Sequence, residues 1–168
     1  MPTPAFMTLH GSRQGLISAG AFTEPSVGNS YQNGREDKIM VQAFSHGILL
    51  PNGAGAGRRM HKPLVITKTI DKASPLIQVA LCSGERLSKC CLEFYRTSAH
   101  GTQEHFYTIE LEDAQIVSAE VFMPDCQDPV TAHLTQREKV HFSYRRIYWR
   151  HEISRTMGSD EWQSEGQG

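Results

Sequence analysis

The stretch PLVITKTIDKASPLIQVALCSGERLSKCCLEFYRT, residues 63–97, decides the fold. It reads as strand, helix, strand. Ser74 takes the N-cap position and Pro75 the first helical position, where its missing N–H costs nothing, and Gly84 supplies the left-handed stop. Leu76, Ile77, Ala80 and Leu81 form one apolar stripe between them, so the pattern predicts a helix over about 75–83. Start signal, stripe and stop signal coincide nowhere else, and the expectation is one helix in a mainly β domain.

The segments downstream of this unit alternate with a period of two. In HFYTIELED, Tyr107, Ile109 and Leu111 share a face; in AQIVSAEVFM, Val117, Ala119, Val121 and Met123 do, with a tight bend at Asp113-Ala114 between the two strands. Residues 124–135 form a polar connection. In EKVHFSYRRIYWRHEI, residues 138–153, Val140, Phe142 and Tyr144 have one parity and Ile147 and Trp149 the other. The apolar face therefore switches at Arg145-Arg146. A straight strand of this length would span roughly 50 Å at ~3.3 Å per residue, so a bulged or bent strand shared by two sheets is expected.

Upstream, Ala5–His10 reads as a short strand, and the Gly-spotted stretch through Gly34 as an extended, partly irregular connection. From Lys38 to His46, Ile39, Val41 and Ala43 lie on one face and Met40 and Phe44 on the other, which suggests a barrel wall covered on both sides. PNGAGAGRRMHKP, residues 51–63, lacks both the Gly-Lys-Ser/Thr and the following helix of a phosphate loop. It reads as a long surface hairpin loop whose Arg58, Arg59, His61 and Lys62 can meet an acidic partner surface.

Composition narrows the function classes. The 168 residues, 39% of them hydrophobic, suffice for one domain with a substantial core, read here as 1–155 followed by a polar, flexible tail over 156–168. The net charge of −1 offers no global attraction to nucleic acid or anionic membrane. No apolar run approaches the ~20 residues that cross a bilayer, and the first residues do not read as a leader, so synthesis into the cytosol is the expectation. Cys82, Cys90, Cys91 and Cys126 contain no CxxC pair and read as buried thiols rather than a disulfide framework or zinc site. The eight histidines show no metal spacing, there is no G-x-S-x-G elbow, and Ser45 and His46 project to opposite strand faces. No catalytic residue, cofactor site or metal site is expected. The chemistry of such a chain is contact with other proteins.

One set of segments carries this further. TLHGSRQGLISAG (8–20), EDKIMVQAFSHGI (36–48), ITKTIDKASPLI (66–77), FYRTS (94–98), YTIELEDAQI (107–116) and EKVHFSYRRIYWRH (138–151) resemble the haemolysin-coregulated protein family, Hcp, of bacterial type VI secretion systems. The resemblance implies a phage tail-tube-like fold, a two-sheet distorted β-barrel with the helix against it. It implies homo-hexameric rings that stack into the inner tube of the secretion machine. The implied partners are effector proteins held in the lumen, a spike protein and the sheath or baseplate proteins, with no nucleic acid and no membrane insertion. It further implies export from the bacterial cytoplasm to the extracellular space or a target cell without a signal peptide. By position, Ser45 matches a lumen-facing serine that contacts cargo, while Arg58, Arg59 and His61 are expected to make contacts between subunits or rings. Two other classes stand beside this one. A monomeric ligand-binding β-barrel requires a closed apolar pocket, and an effector-like hydrolase requires a catalytic domain that the short stretch after Arg155 cannot supply.

Overall fold

The computed structural model describes residues 3–30, 33–50 and 59–161. The strands in chain order are β1 (Ala5–Gly11), β2 (Gly15–Leu16), β3 (Ile39–Ser45), β4 (Ile48–Leu49), β5 (Met60–His61), β6 (Leu64–Thr69), β7 (Arg86–Thr97), β8 (Gln103–Glu112), β9 (Ala114–Phe122), β10 (Arg137–Ser143), β11 (Arg146–His151) and β12 (Thr156–Glu161). Two helices accompany them, α1 (Glu24–Val27) and α2 (Ser74–Ser83). The expected helix is α2. A second, four-residue helix forms inside the irregular connection, where Pro25 sits in the first turn after Thr23. That connection also sends Ile17, Ala21 and Phe22 into the core.

At the start of α2, Ala73 is already helical and Ser74 lies within the helix, one residue later than the sequence places it. The entrance is held instead by Asp71. Its carboxylate accepts from the Ala73 N–H at 2.9 Å, and its own N–H donates to Ser74 Oγ at 3.0 Å. Gly84 ends the helix at φ 66°, as its missing Cβ allows. Ile77 and Ala80 are buried, with Leu76 and Leu81 packed against the core beside them.

The strands form one sheet of ten in the order β12-β11-β8-β7-β9-β10-β6-β3-β1-β2, plus the separate ribbon β4-β5. This continuous sheet replaces the expected pair of sheets. It closes because β7, twelve residues long, serves two neighbourhoods: it pairs with β1 along one edge, and along the other with β8 over Cys90–Thr97 and with β9 at Arg86 and Leu87. The result is a distorted ring, β7-β9-β10-β6-β3-β1, with α2 packed over β9. Its interior is filled by Met7, Leu9, Ile39, Val41, Leu64, Ile66, Val140 and Phe142, all nearly or fully inaccessible to solvent.

The parity switch expected at Arg145-Arg146 is present. β10 lies between β6 and β9, while β11 lies between β8 and β12, and Tyr144-Arg145 carries the chain from one setting to the other. The bend expected at Asp113 is also present, with φ 57°.

Two places depart from the sequence reading. In β3, Val41 pairs with Lys68 but Ala43 with Thr67, so Gln42 is an extra residue. This bulge flips the alternation: Phe44, still 36% exposed, takes the parity of Ile66 and packs against Phe94, and Ala43 and Ser45 turn outward. The strand is therefore not apolar on both faces. At the other end, Thr156–Glu161 is not a loose tail but pairs with β11 through a turn in which Arg155 adopts φ 57°. Asp160 and Glu161 bind Arg59, Arg145 and Arg146, and these charged partners hold a strand that has little apolar content of its own.

Candidate functional site

The most polar part of the resembling segments, TKTIDKAS, folds into a buried ionic knot. Lys68 points inward because it shares strand parity with Ile66, and opposite it in register stands Glu138, which shares parity with Val140. Lys68 Nζ lies 2.9 Å from Asp71 Oδ1, 3.0 Å from Glu138 Oε2 and 2.9 Å from Ser74 Oγ, and neither Lys68 nor Glu138 has any exposed side-chain surface. Burial pushes the Asp71 carboxyl above the usual range, outweighing the pull of Lys68. No substrate reaches these groups. They tie α2 to β6 and β10, so the motif is used to fix architecture.

The outer face of the ring carries hydrogen-bonding side chains among apolar ones. Register places Ser45 beside Val65 and His141, and Ala43 beside Thr67 and Lys139, with Ser118 and Glu120 of β9 next in line. Ser45 is exposed on a shallow groove with Val65, Thr67, Lys139 and His141. Its position there is a consequence of the Gln42 bulge, since an unbroken alternation would have turned it inward.

A second feature lies at the base of the β4-β5 ribbon. Its apolar side chains are about half exposed: Ile48 at 43%, Leu49 at 48%, Leu50 at 53% and Met60 at 50%. Arg58 falls outside the described residues. Arg59 is exposed and grips Asp160 in a two-pronged ion pair, with Nε to Oδ2 at 2.5 Å and NH2 to Oδ1 at 2.9 Å. His61 departs from the surface-loop reading. Pairing of β5 with β4 alternates Met60 outward and His61 inward, and His61 is only 4% exposed. Its Nδ1 lies 2.6 Å from the Tyr144 hydroxyl and its Nε2 2.7 Å from Asp160 Oδ2. His46, beside it at the same end of the ribbon, places Nε2 2.8 Å from the same hydroxyl. Arg59 holds the Asp160 carboxyl below its ordinary range; burial, aided by the Asp160 charge, pushes the Tyr144 phenol up. Burial and the neighbouring His61 lower the proton affinity of His46.

Sequence reasoning missed Tyr144, Asp160 and His46 as a group, and no local signal could have joined residues 98 and 99 positions apart. The knot left a fainter trace, since Lys68 and Glu138 occupy apolar parity in strands that are otherwise regular. Among the cysteines, Cys90 and Cys91 are buried as expected, and burial raises both thiols, that of Cys91 to about 11. Cys82 and Cys126 are exposed instead. Among the described residues, no group of three or more His, Cys, Asp or Glu is arranged to hold a metal ion.

Such an arrangement defines a mainly β protein whose distinguishing features are faces and edges, with the Lys68 ionic knot sealed inside. Comparison with known proteins gives the family. Residues 6–151 match the family described as "Type VI secretion system effector, Hcp", and the chain belongs to it. The chain is 58% identical over 168 residues to the major exported protein of Pseudomonas aeruginosa, covering 98% of each. Among solved structures, the secreted protein Hcp3 of Pseudomonas aeruginosa superposes with a TM-score of 0.84 at 55% identity, covering 96% of this chain and 99% of that one. A further Hcp crystal structure superposes with a TM-score of 0.91 at 44% identity, over 96% and 98% of the two chains.

Proposed function

We propose that the protein is a structural subunit of the type VI secretion inner tube: hexameric rings of it stack, are exported through the machine from the bacterial cytoplasm, and hold effector proteins in the lumen. The observation that carries this reading is the row of hydrogen-bonding side chains on the outer face of the ring, which the β3 bulge extends to Ser45. A tube wall must let cargo slide, so it needs exposed hydrogen-bonding groups without deep apolar pockets, and Ser45, Thr67, Lys139, Ser118 and Glu120 supply them in consecutive strands. Ser45 is assigned to cargo contact.

Contacts between subunits fall to the β4-β5 ribbon. A ring requires head-to-tail contacts that close on themselves. Ile48, Leu49, Leu50 and Met60, each about half exposed, serve that contact, and Arg59 and, by its place in the sequence, Arg58 are assigned to it as well. His61 acts from behind, holding the ribbon's base. Spike, sheath and baseplate proteins are the remaining partners. The filled interior of the strand ring gives a ligand-binding barrel no support.

Native mass spectrometry tests the assembly. A particle near six times the 18.8 kDa chain, annular under the electron microscope, is expected; solitary subunits at high concentration refute it. In Ser45→Gln, cargo stabilisation is lost while rings persist. Unchanged cargo stabilisation withdraws Ser45 from that role.

A further inference from the structure

Most cations that stand on strands of this chain are taken by a carboxylate. Arg86 pairs with Asp113, Arg96 with Glu104, Arg146 with Glu161 and Arg150 with Glu110, while Lys68 is closed inside between Asp71 and Glu138. Strand β10 is different. Among the described residues, neither Arg137 nor Lys139 has an ion pair, and the Arg137 Nε–H has no acceptor, so nothing within the subunit fixes either charge in place. Both are partly exposed on the outer side of the ring, because Glu138 between them points inward, and His141 continues their parity. Alternate strand positions recur at about 6.6 Å, so the row is evenly spaced.

This row runs through the face that carries Ser45. Register sets Lys139 between Thr67 and Glu120, and His141 between Val65 and Ser118, with Ser45 beyond Val65. Glu120 is the one acid on the face among the described residues, and although it stands opposite Lys139 the two form no ion pair. Asp125 and Asp128, in the connection after β9, are turned to their own backbone, where they accept from the N–H groups of Gln127 and Val130. Near Ser45, Lys62 adds an exposed cation whose side chain runs past Gly47. A chain with a net charge of −1 thus keeps uncompensated positive charge on this face.

We propose that the Ser45 face selects its partner by charge: Arg137 and Lys139 receive carboxylates of an acidic protein segment, and Ser45 and His141 beside them supply hydrogen bonds. Carboxylates at alternate positions of an extended segment recur at the same spacing as the two cations, so one segment can meet both. That this partner is cargo held in a lumen rests on the tube-subunit reading; the charge preference of the face does not. Single-stranded nucleic acid fits less well, because its bases stack on exposed aromatic rings and the cross-strand rows through Ser45 and Lys139 contain no Phe, Tyr or Trp.

Fluorescence anisotropy of short labelled peptides with the full chain tests the proposal at low salt. The probes are of equal length and alternate Ser with Glu, Gln or Lys. The Glu peptide binds most tightly, and its advantage disappears at about 1 M salt, where the screening length is about 3 Å. Lys139→Gln weakens it by up to about fivefold, the scale of one exposed charge pair, and Lys139→Glu weakens it further. Glu120→Gln tightens it, a gain that a misfolded subunit cannot produce. Lys89→Gln, at an exposed cation on β7 beside His10, leaves it unchanged. The proposal is overturned if the Glu and Gln peptides bind alike, if Lys139→Gln and Glu120→Gln leave the affinity for the Glu peptide where it was, or if a single-stranded oligonucleotide of matched length binds more tightly through the same residues. Light scattering on the same samples separates the two ideas: solitary subunits that still prefer the Glu peptide refute the tube and keep the charge preference, and rings without the preference do the reverse.

Discussion

Replacing Lys68 by Met tests whether the ionic knot holds the fold together. The substitution roughly preserves side-chain volume and removes the one cation between Asp71 and Glu138, at 2.9 and 3.0 Å. Both carboxyls then sit in low dielectric without a counter-charge, Glu138 with no exposed side-chain surface and Asp71 with 2%. Breaking one partner of a buried pair costs about 3–5 kcal/mol, a large share of the ~5–15 kcal/mol that holds a domain folded. The Lys68 contacts to Asp71 and to Ser74 Oγ at the start of α2 are lost with it. Equilibrium urea unfolding of the full chain measures the cost at constant slope. The variant also acquires a characteristic pH dependence. Folded-state carboxyls without a cation bind protons more tightly than unfolded ones, so Lys68→Met is most stable below the ordinary carboxylate range and loses stability as pH rises through the raised folded values. Glu138→Gln, which leaves Lys68 paired with Asp71, costs less. A loss below about 1 kcal/mol for Lys68→Met, the scale of an exposed pair, refutes the reasoning.

Gly11→Ala places a methyl 1.8 Å from Glu85 Oε2, the atom that accepts from the Gln14 N–H at 3.1 Å, and Glu85 is too buried to move aside; a loss of about 1–3 kcal/mol is expected from thermal melting. At Asp113, φ 57° penalises any side chain, so Asp113→Ala is less stable than Asp113→Gly by about 1–2 kcal/mol although both lose the pairs to Arg86 and Arg145. Asp160→Asn removes the charge that Arg59 and His61 share and costs about 1 kcal/mol in urea unfolding, the partly exposed pair with Arg59 being screened by solvent. In hydrogen exchange, that loss concentrates in β12 and the β4-β5 ribbon.

Most elements were legible because their signals are local. Ser74, Pro75 and Gly84 mark α2 to within a residue, and the alternations of β8, β10 and β11 locate those strands and the break between the last two. Legibility failed where one strand depends on another. Gln42 is an ordinary strand residue until β6 sets the register that leaves it unpaired, and the outward position of Ser45 follows from that. Thr156–Glu161 reads as a tail because its strand is held by acids whose basic partners, Arg59, Arg145 and Arg146, belong to other segments.

The chain alone determined its mainly β character, its principal helix, its parity switch and, through segments spread from 8 to 151, its Hcp membership. These are properties of spacing, and spacing is written residue by residue. The tertiary structure alone decided which face Ser45 occupies, that Lys68 and Glu138 neutralise one another inside, and that His46 and His61 converge on Tyr144 with Asp160 behind His61. Each depends on strand register or on ring closure, which bring together groups dozens of residues apart, and a period of two along one strand cannot specify the strand it will lie beside.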